Sequence, residues 1–76
     1  MEIARYISID PYIHHGAPVI TGTRVLVSIV IGSLAGGMSK DDVCREYDLS
    51  KEAVESALAC AAELVATTEV IPLVGA

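Results

Sequence analysis

The residues with the clearest chemical potential lie in a glycine-containing loop, GAPVITGTR, at residues 16–24. A glycine-rich turn can direct backbone N–H groups at an anion, but the spacing matches neither a P-loop nor a dinucleotide-binding fingerprint. We therefore interpret the loop as a structural turn in which Gly22 adopts positive φ. Arg24 is expected to pair with Asp10 or Asp48, which would tie the N-terminal arm to the helices. The residues expected to form this turn are Gly16, Pro18, Gly22, Thr23 and Arg24.

The other groups that could ligate a metal or react do not form a recognisable site. His14 and His15 are adjacent, and neighbouring side chains in an extended segment point to opposite faces, so one ion cannot easily take both. Cys44 and Cys60 lack the spacing of a zinc site and suit a reducing cytoplasm. Neither a Ser-His-Asp arrangement nor a G-x-S-x-G motif is present. We therefore expect no metal, no cofactor and no enzymatic activity.

Hydrophobic periodicity predicts the elements that position these residues. Alternation over residues 3–9 predicts one strand, which Asp10-Pro11 ends, and residues 17–20 predict a second short strand. Three helices follow: Val27–Ala35 with Ser28 as a candidate N-cap, Lys40–Tyr47 capped by Ser39, and residues 50–66 capped by Ser50. The inward stripe of the third helix is predicted at Val54, Ala57, Leu58, Ala61, Leu64 and Val65.

The predicted fold class is mostly α, with short N-terminal β strands followed by a three-helix, helix-turn-helix-like bundle. We expect a single domain over residues 1–76. Its parts are an extended β arm and turn at residues 1–25, the bundle at residues 26–66 and an apolar C-terminal tail at residues 67–76. The short connector between the last two helices is typical of a helix-turn-helix arrangement.

Composition predicts that this chain binds other polypeptides. It has 76 residues, of which 53% are hydrophobic although Phe and Trp are absent. Small domains bury a smaller fraction of their surface, so part of this apolar material is expected to face another chain, as in a homodimer. The longest apolar run is too short to span a bilayer, so we expect no membrane association and a cytoplasmic location.

Charge disfavours DNA binding by the chain alone. The formal net charge is −5, whereas affinity for nucleic acid rests on Lys and Arg that neutralise phosphates. The outward face of the third helix would be the DNA-reading surface, and its glutamates would repel phosphate. The residues that would face DNA are Lys51, Glu52, Glu55 and Ser56.

The ordered motifs over residues 7–63 closely resemble the domain-of-unknown-function family numbered 433. The resemblance rests on Asp10-Pro11, a G-x-P-x-I-x-G-T-R turn, an apolar helix, a G-x-S-x-x-x-[IV] motif and an Ala-rich last helix. The residues that match the motifs are Asp10, Pro11, Gly16, Pro18, Ile20, Gly22, Thr23, Arg24, Gly37, Ser39 and Val43. Each motif alone is weak, but their order is specific.

This resemblance implies a helix-turn-helix-like fold and, for many members, an antitoxin encoded beside a small PIN-like ribonuclease toxin. The first hypothesis is therefore a homodimeric antitoxin that covers the toxin's active site and represses its own operon. The alternatives are a stand-alone DNA-binding transcriptional regulator and a homo-oligomeric structural module whose N-terminal strands pair across subunits. The expected partner-binding residues are Glu63, Glu69, Val70, Ile71, Leu73 and Val74.

Overall fold

Three helices and a small antiparallel sheet make up the computed structural model, which describes residues 1–68. The strands pair in chain order, and the third helix packs against the first two helices and the middle strand. The prediction of a mostly α chain with N-terminal strands is confirmed. The elements are β1 Glu2–Ala4, β2 Ile7–Ser8, a 3₁₀ turn His14–Gly16, β3 Val19–Ile20, α1 Val27–Ala35, α2 Lys40–Tyr47 and α3 Lys51–Thr67.

The first predicted strand is a hairpin, so the prediction of one continuous strand over residues 3–9 is wrong. The chain reverses at Tyr6, whose φ of 65° lies in the left-handed region, and Glu2 then pairs with Ser8. Ile7 is buried whereas Ile3 is 46% exposed, so the two do not share one buried face. Positive φ is uncommon outside glycine, and hydrophobic alternation carries no signal for it.

The second predicted strand corresponds to β3, which spans Val19–Ile20 and is shorter than the predicted residues 17–20. Ile20 pairs with Ile7 across the sheet, and both side chains are buried. His14 and His15 were expected in an extended segment, but they lie in the 3₁₀ turn with φ of 49° and 57°.

Local capping decides where α2 and α3 begin. The Asp42 N–H donates to Ser39 Oγ at 3.0 Å, and the Ala53 N–H donates to Ser50 Oγ at 3.1 Å. Both predicted caps are confirmed, and α2 spans the predicted residues. The helices are joined over residues 48–50, where Asp48 has a φ of 54° and ends α2 in the left-handed conformation.

The start of α1 is stabilised by the loop that precedes β3, not by a side-chain cap. The predicted cap at Ser28 is wrong, because the helix begins at Val27 and its N-cap position is Leu26. The Val27 N–H donates to the Pro18 carbonyl at 3.0 Å. A backbone oxygen from the loop therefore satisfies a donor that a helix N-terminus leaves without an intrahelical partner.

The core lies between the sheet and the helices, and it does not extend to the end of α3. Leu64 and Val65 were predicted to point inward, but they are 54% and 74% exposed. A helix of 17 residues is about 25 Å long, so α3 extends past the shorter α1 and α2. The buried residues are Ile7, Val19, Ile20, Val27, Val30, Val43, Leu49, Ala53, Val54 and Ala57.

Candidate protein-interaction surface

The second half of α3, residues 59–67, carries apolar side chains beyond the core, and we call it the projecting half of α3. At 3.6 residues per turn, Leu64 continues the face that Ala57 and Ala53 bury further back in the helix. The same apolar stripe therefore begins inside the core and ends exposed. A groove flanks α3 on each of two sides, and Leu64 lines both grooves.

The α1–α3 groove lies between the two helices and the loop before β3. Its volume is about 550 Å³. Gly32 widens it, because a Cβ built at that position would meet no atom within 4 Å. Among residues 1–68, none of those that line the groove is charged. They are Ala17, Pro18, Val27, Ser28, Ile31, Gly32, Ala61, Leu64 and Val65.

The β1–α3 groove lies between α3 and the first strand, and its volume is about 390 Å³. It differs from the first groove because Arg5 and Glu63 add opposite charges to an otherwise largely apolar lining. Its lining residues are Ile3, Ala4, Arg5, Ser56, Ala59, Cys60, Glu63 and Leu64.

The predicted partner-binding residues fall partly on this surface. Glu63 is exposed and lines the β1–α3 groove. The remaining five lie outside residues 1–68, which the structure describes: Glu69, Val70, Ile71, Leu73 and Val74. Periodicity indicated the apolar character of Leu64 and Val65 but assigned them to the core.

The predicted DNA-facing residues lie at the start of α3. Lys51, Glu52 and Glu55 are exposed, and Ser56 is partly exposed. Glu52, Glu55 and Ser56 line a shallow depression with Arg5, whose guanidinium carbon lies 5.1 Å from the centroid of the Tyr6 ring. Carboxylates and cations are mixed here, which differs from the clustered basic charge of a phosphate-binding surface.

The GAPVITGTR loop forms the turn that leads into α1. Gly16 and Gly22 have φ of 88° and 81°, values that favour glycine. Thr23 Oγ1 donates to the Ile20 carbonyl at 2.8 Å and accepts the Val25 N–H at 3.0 Å. These bonds fix the direction in which the chain enters α1, consistent with the structural role expected of the loop.

The expected pairing of Arg24 with Asp10 or Asp48 is wrong. Arg24 is exposed, and within residues 1–68 it forms no ion pair; its carbonyl oxygen lies 2.9 Å from His14 Nε2. Asp10 Oδ1 instead accepts the Tyr12 N–H at 2.8 Å, because a short carboxylate satisfies a nearby turn more easily than a distant guanidinium. Hydrogen bonds of the loop backbone therefore tie the arm to the helices.

The described part of the chain contains neither a metal-binding cluster nor a membrane-spanning helix. No three His, Cys, Asp or Glu side chains within residues 1–68 come together as a set that could hold a metal ion. In the same range, no helix combines the length and apolar character needed to cross a bilayer.

Comparison with known proteins identifies the family. The family described as "Protein of unknown function (DUF433)" matches residues 7–61, most of the chain. The chain belongs to this family. The X-ray crystal structure of Rv2018 from Mycobacterium tuberculosis is similar to this DUF433 chain, with a TM-score of 0.63 and 31% identity over 68% of the chain. The match covers 24% of Rv2018, so the chain spans about a quarter of that protein. No curated protein matches.

The DUF433 match coincides with the core and leaves much of the projecting surface outside it. Every buried hydrophobic residue of the described structure lies within residues 7–61. Ile3, Leu64 and Val65 lie outside that range, and all three are exposed. The segments that flank the family module therefore supply the main exposed apolar groups of both grooves.

Proposed function

We propose that this DUF433 chain is an antitoxin, a protein-binding module that neutralises a small ribonuclease by covering its active site. The observation that carries the proposal is the projecting half of α3, where the apolar stripe continues through Leu64 without a core beneath it. Exposed apolar groups beside grooves are typical of protein interaction sites. Such a chain acts by binding and needs no catalytic group of its own.

The β1–α3 groove is the better of the two grooves for the ribonuclease. A ribonuclease must attract RNA phosphates, so the surface that binds RNA carries positive charge. Glu63 at the edge of this groove and the net charge of −5 would attract such a surface. Complementary charge raises the association rate and fixes orientation, while the apolar groups of Ile3 and Leu64 supply the contact that excludes water.

Autoregulation of the operon would use α2 and α3, whose connection over residues 48–50 resembles a helix-turn-helix. The exposed carboxylates of Glu52 and Glu55 oppose DNA binding by the free chain. We therefore propose that the toxin complex, rather than the antitoxin alone, supplies the basic groups that contact phosphate. A salt titration of operator binding by the free chain tests the alternative of a stand-alone regulator.

The test of the proposed function is co-expression with a PIN-like ribonuclease encoded beside this chain, followed by co-purification and an RNA-cleavage assay. Glu63→Lys should weaken inhibition by about tenfold or more, because it places a cation against the basic RNA-binding surface of the ribonuclease. Glu46→Lys is the matched control, since it makes the same charge change on an exposed residue of α2 that lines neither groove.

Three results would contradict the proposal. Failure of the wild-type chain to bind and inhibit that ribonuclease would exclude the antitoxin function. Equal inhibition by Glu63→Lys and the wild-type chain would exclude the β1–α3 groove as the binding site. A matching loss in Glu46→Lys would show that net charge, rather than this groove, controls binding.

A further inference from the structure

The absence of charge in the α1–α3 groove identifies the kind of protein that it accepts. The nine residues that line it within the described part of the chain include no acidic or basic side chain, although the chain as a whole has a net charge of −5. A basic partner would gain no electrostatic attraction from this groove. Two copies of an acidic chain, in contrast, meet at lower cost where no carboxylates face one another, because like charges across an interface are unfavourable.

The α1–α3 groove combines one projecting side chain with one position that has no side chain. Val65 projects beside the groove with 74% of its surface exposed, which is more than any other large aliphatic side chain on the described helices. Gly32 on α1 lines the same groove, and no atom of the described residues lies within 4 Å of a Cβ built there. In a two-fold contact a surface patch meets the same patch on the second copy. A side chain that projects from the patch on one copy must therefore fit into a space within the patch on the other copy. Val65 and Gly32 have that relation.

We propose that the α1–α3 groove is the interface of a two-fold homodimer, in which Val65 of each copy lies in the groove of the other near Gly32. This contact buries the uncharged side of the projecting half of α3 and leaves the β1–α3 groove on its other side accessible. The dimer therefore does not depend on the antitoxin function, and it is tested on the purified chain without any ribonuclease.

The experiment measures the molar mass of the full chain by sedimentation equilibrium across a dilution series. The wild-type chain should have twice the monomer mass of 8.0 kDa. Val65→Glu should raise the dimer dissociation constant by about 100-fold or more, because each two-fold contact would bury two unpaired carboxylates. Gly32→Leu should have a similar effect, because its side chain fills the space that receives Val65. Circular dichroism confirms that both variants keep their helices.

Two control variants separate this interface from general effects on α3 and α1. Ala66→Glu adds the same charge to the neighbouring position of α3, which is exposed and lines neither groove, and it should remain dimeric. Gly32→Ala adds one methyl group and improves helix propensity, so it should remain dimeric and folded.

Three results would overturn the proposal. A monomeric wild-type chain at every concentration would exclude the dimer. A wild-type dimer that persists in both Val65→Glu and Gly32→Leu would place the interface elsewhere. If the full chain is monomeric but a chain truncated after Thr68 forms a dimer, then residues 69–76, and not a second copy, occupy the groove.

Discussion

The same substitution at two positions of α3, Val54→Ala and Val65→Ala, tests whether only the first half of the helix belongs to the core. Val54 is fully buried, and Val65 is 74% exposed. Removing two methyl groups from the core loses about 1.6 kcal/mol of transfer free energy, and the cavity adds roughly 1 kcal/mol. The higher helix propensity of Ala returns about 0.5 kcal/mol. Val54→Ala should therefore lower the free energy of unfolding by about 2 kcal/mol.

At Val65 the same terms nearly cancel. Only about a quarter of the side chain is removed from water, so the lost transfer free energy is about 0.4 kcal/mol. The gain in helix propensity is about as large. Val65→Ala should therefore change the free energy of unfolding by less than about 0.5 kcal/mol in the monomer, where association does not contribute.

Urea unfolding followed by circular dichroism measures both values, at protein concentrations where sedimentation shows a monomer. A domain of this size has about 3–5 kcal/mol of stability, so Val54→Ala should remove about half of it. The accompanying fall in Tm is about 8–16 °C. Equal losses at the two positions would mean that the projecting half of α3 is packed within the monomer, and the assignment of the interaction surface would fail.

The remaining predictions concern the two local signals that fix the elements. Ser50→Ala should lower the free energy of unfolding by about 1 kcal/mol, because it removes the acceptor of the Ala53 N–H. The control is Ser28→Ala, at an exposed position that does not cap a helix, and it should lower that free energy by less than about 0.5 kcal/mol. Gly22→Ala should cost about 1–2 kcal/mol, because φ is 81° there, whereas Gly32→Ala in α1 should be neutral or stabilising. Urea unfolding measures all four values, and equal costs within either pair would contradict the assigned roles.

The second and third helices could be predicted from the sequence because their signals are local. Ser39 and Ser50 each lie three residues before the N–H that they cap, so short-range pattern is sufficient. The bounds of α1 were also predicted correctly at Val27–Ala35. Its N-terminal partner could not be predicted in this way, since the Val27 N–H bonds to Pro18, nine residues earlier. The hairpin at Tyr6 was missed because a left-handed residue without glycine leaves no mark in hydrophobic alternation.

The candidate site could be predicted only in part, because its grooves join segments distant in sequence. Periodicity identified the apolar face of α3 and indicated that Leu64 belongs to it. How far that face is covered depends on the lengths of neighbouring elements, which periodicity does not report. Glu63 lies on the surface as expected, while the predicted contacts at Val70, Ile71 and their neighbours remain predictions outside the described residues.

The projecting half of α3 also affects how tightly any protein can bind there. Beyond Ala61, the turns of α3 have little tertiary support from the rest of residues 1–68. The hydroxyl groups of Thr67 and Thr68 donate to the Leu64 carbonyl at 3.1 and 2.7 Å, within the same end of the helix. Such turns open by fraying, and their amide hydrogens exchange without unfolding of the whole domain. A bound protein must suppress that opening, which costs conformational entropy. Substitutions that preorganise these turns should therefore slow dissociation without adding a contact.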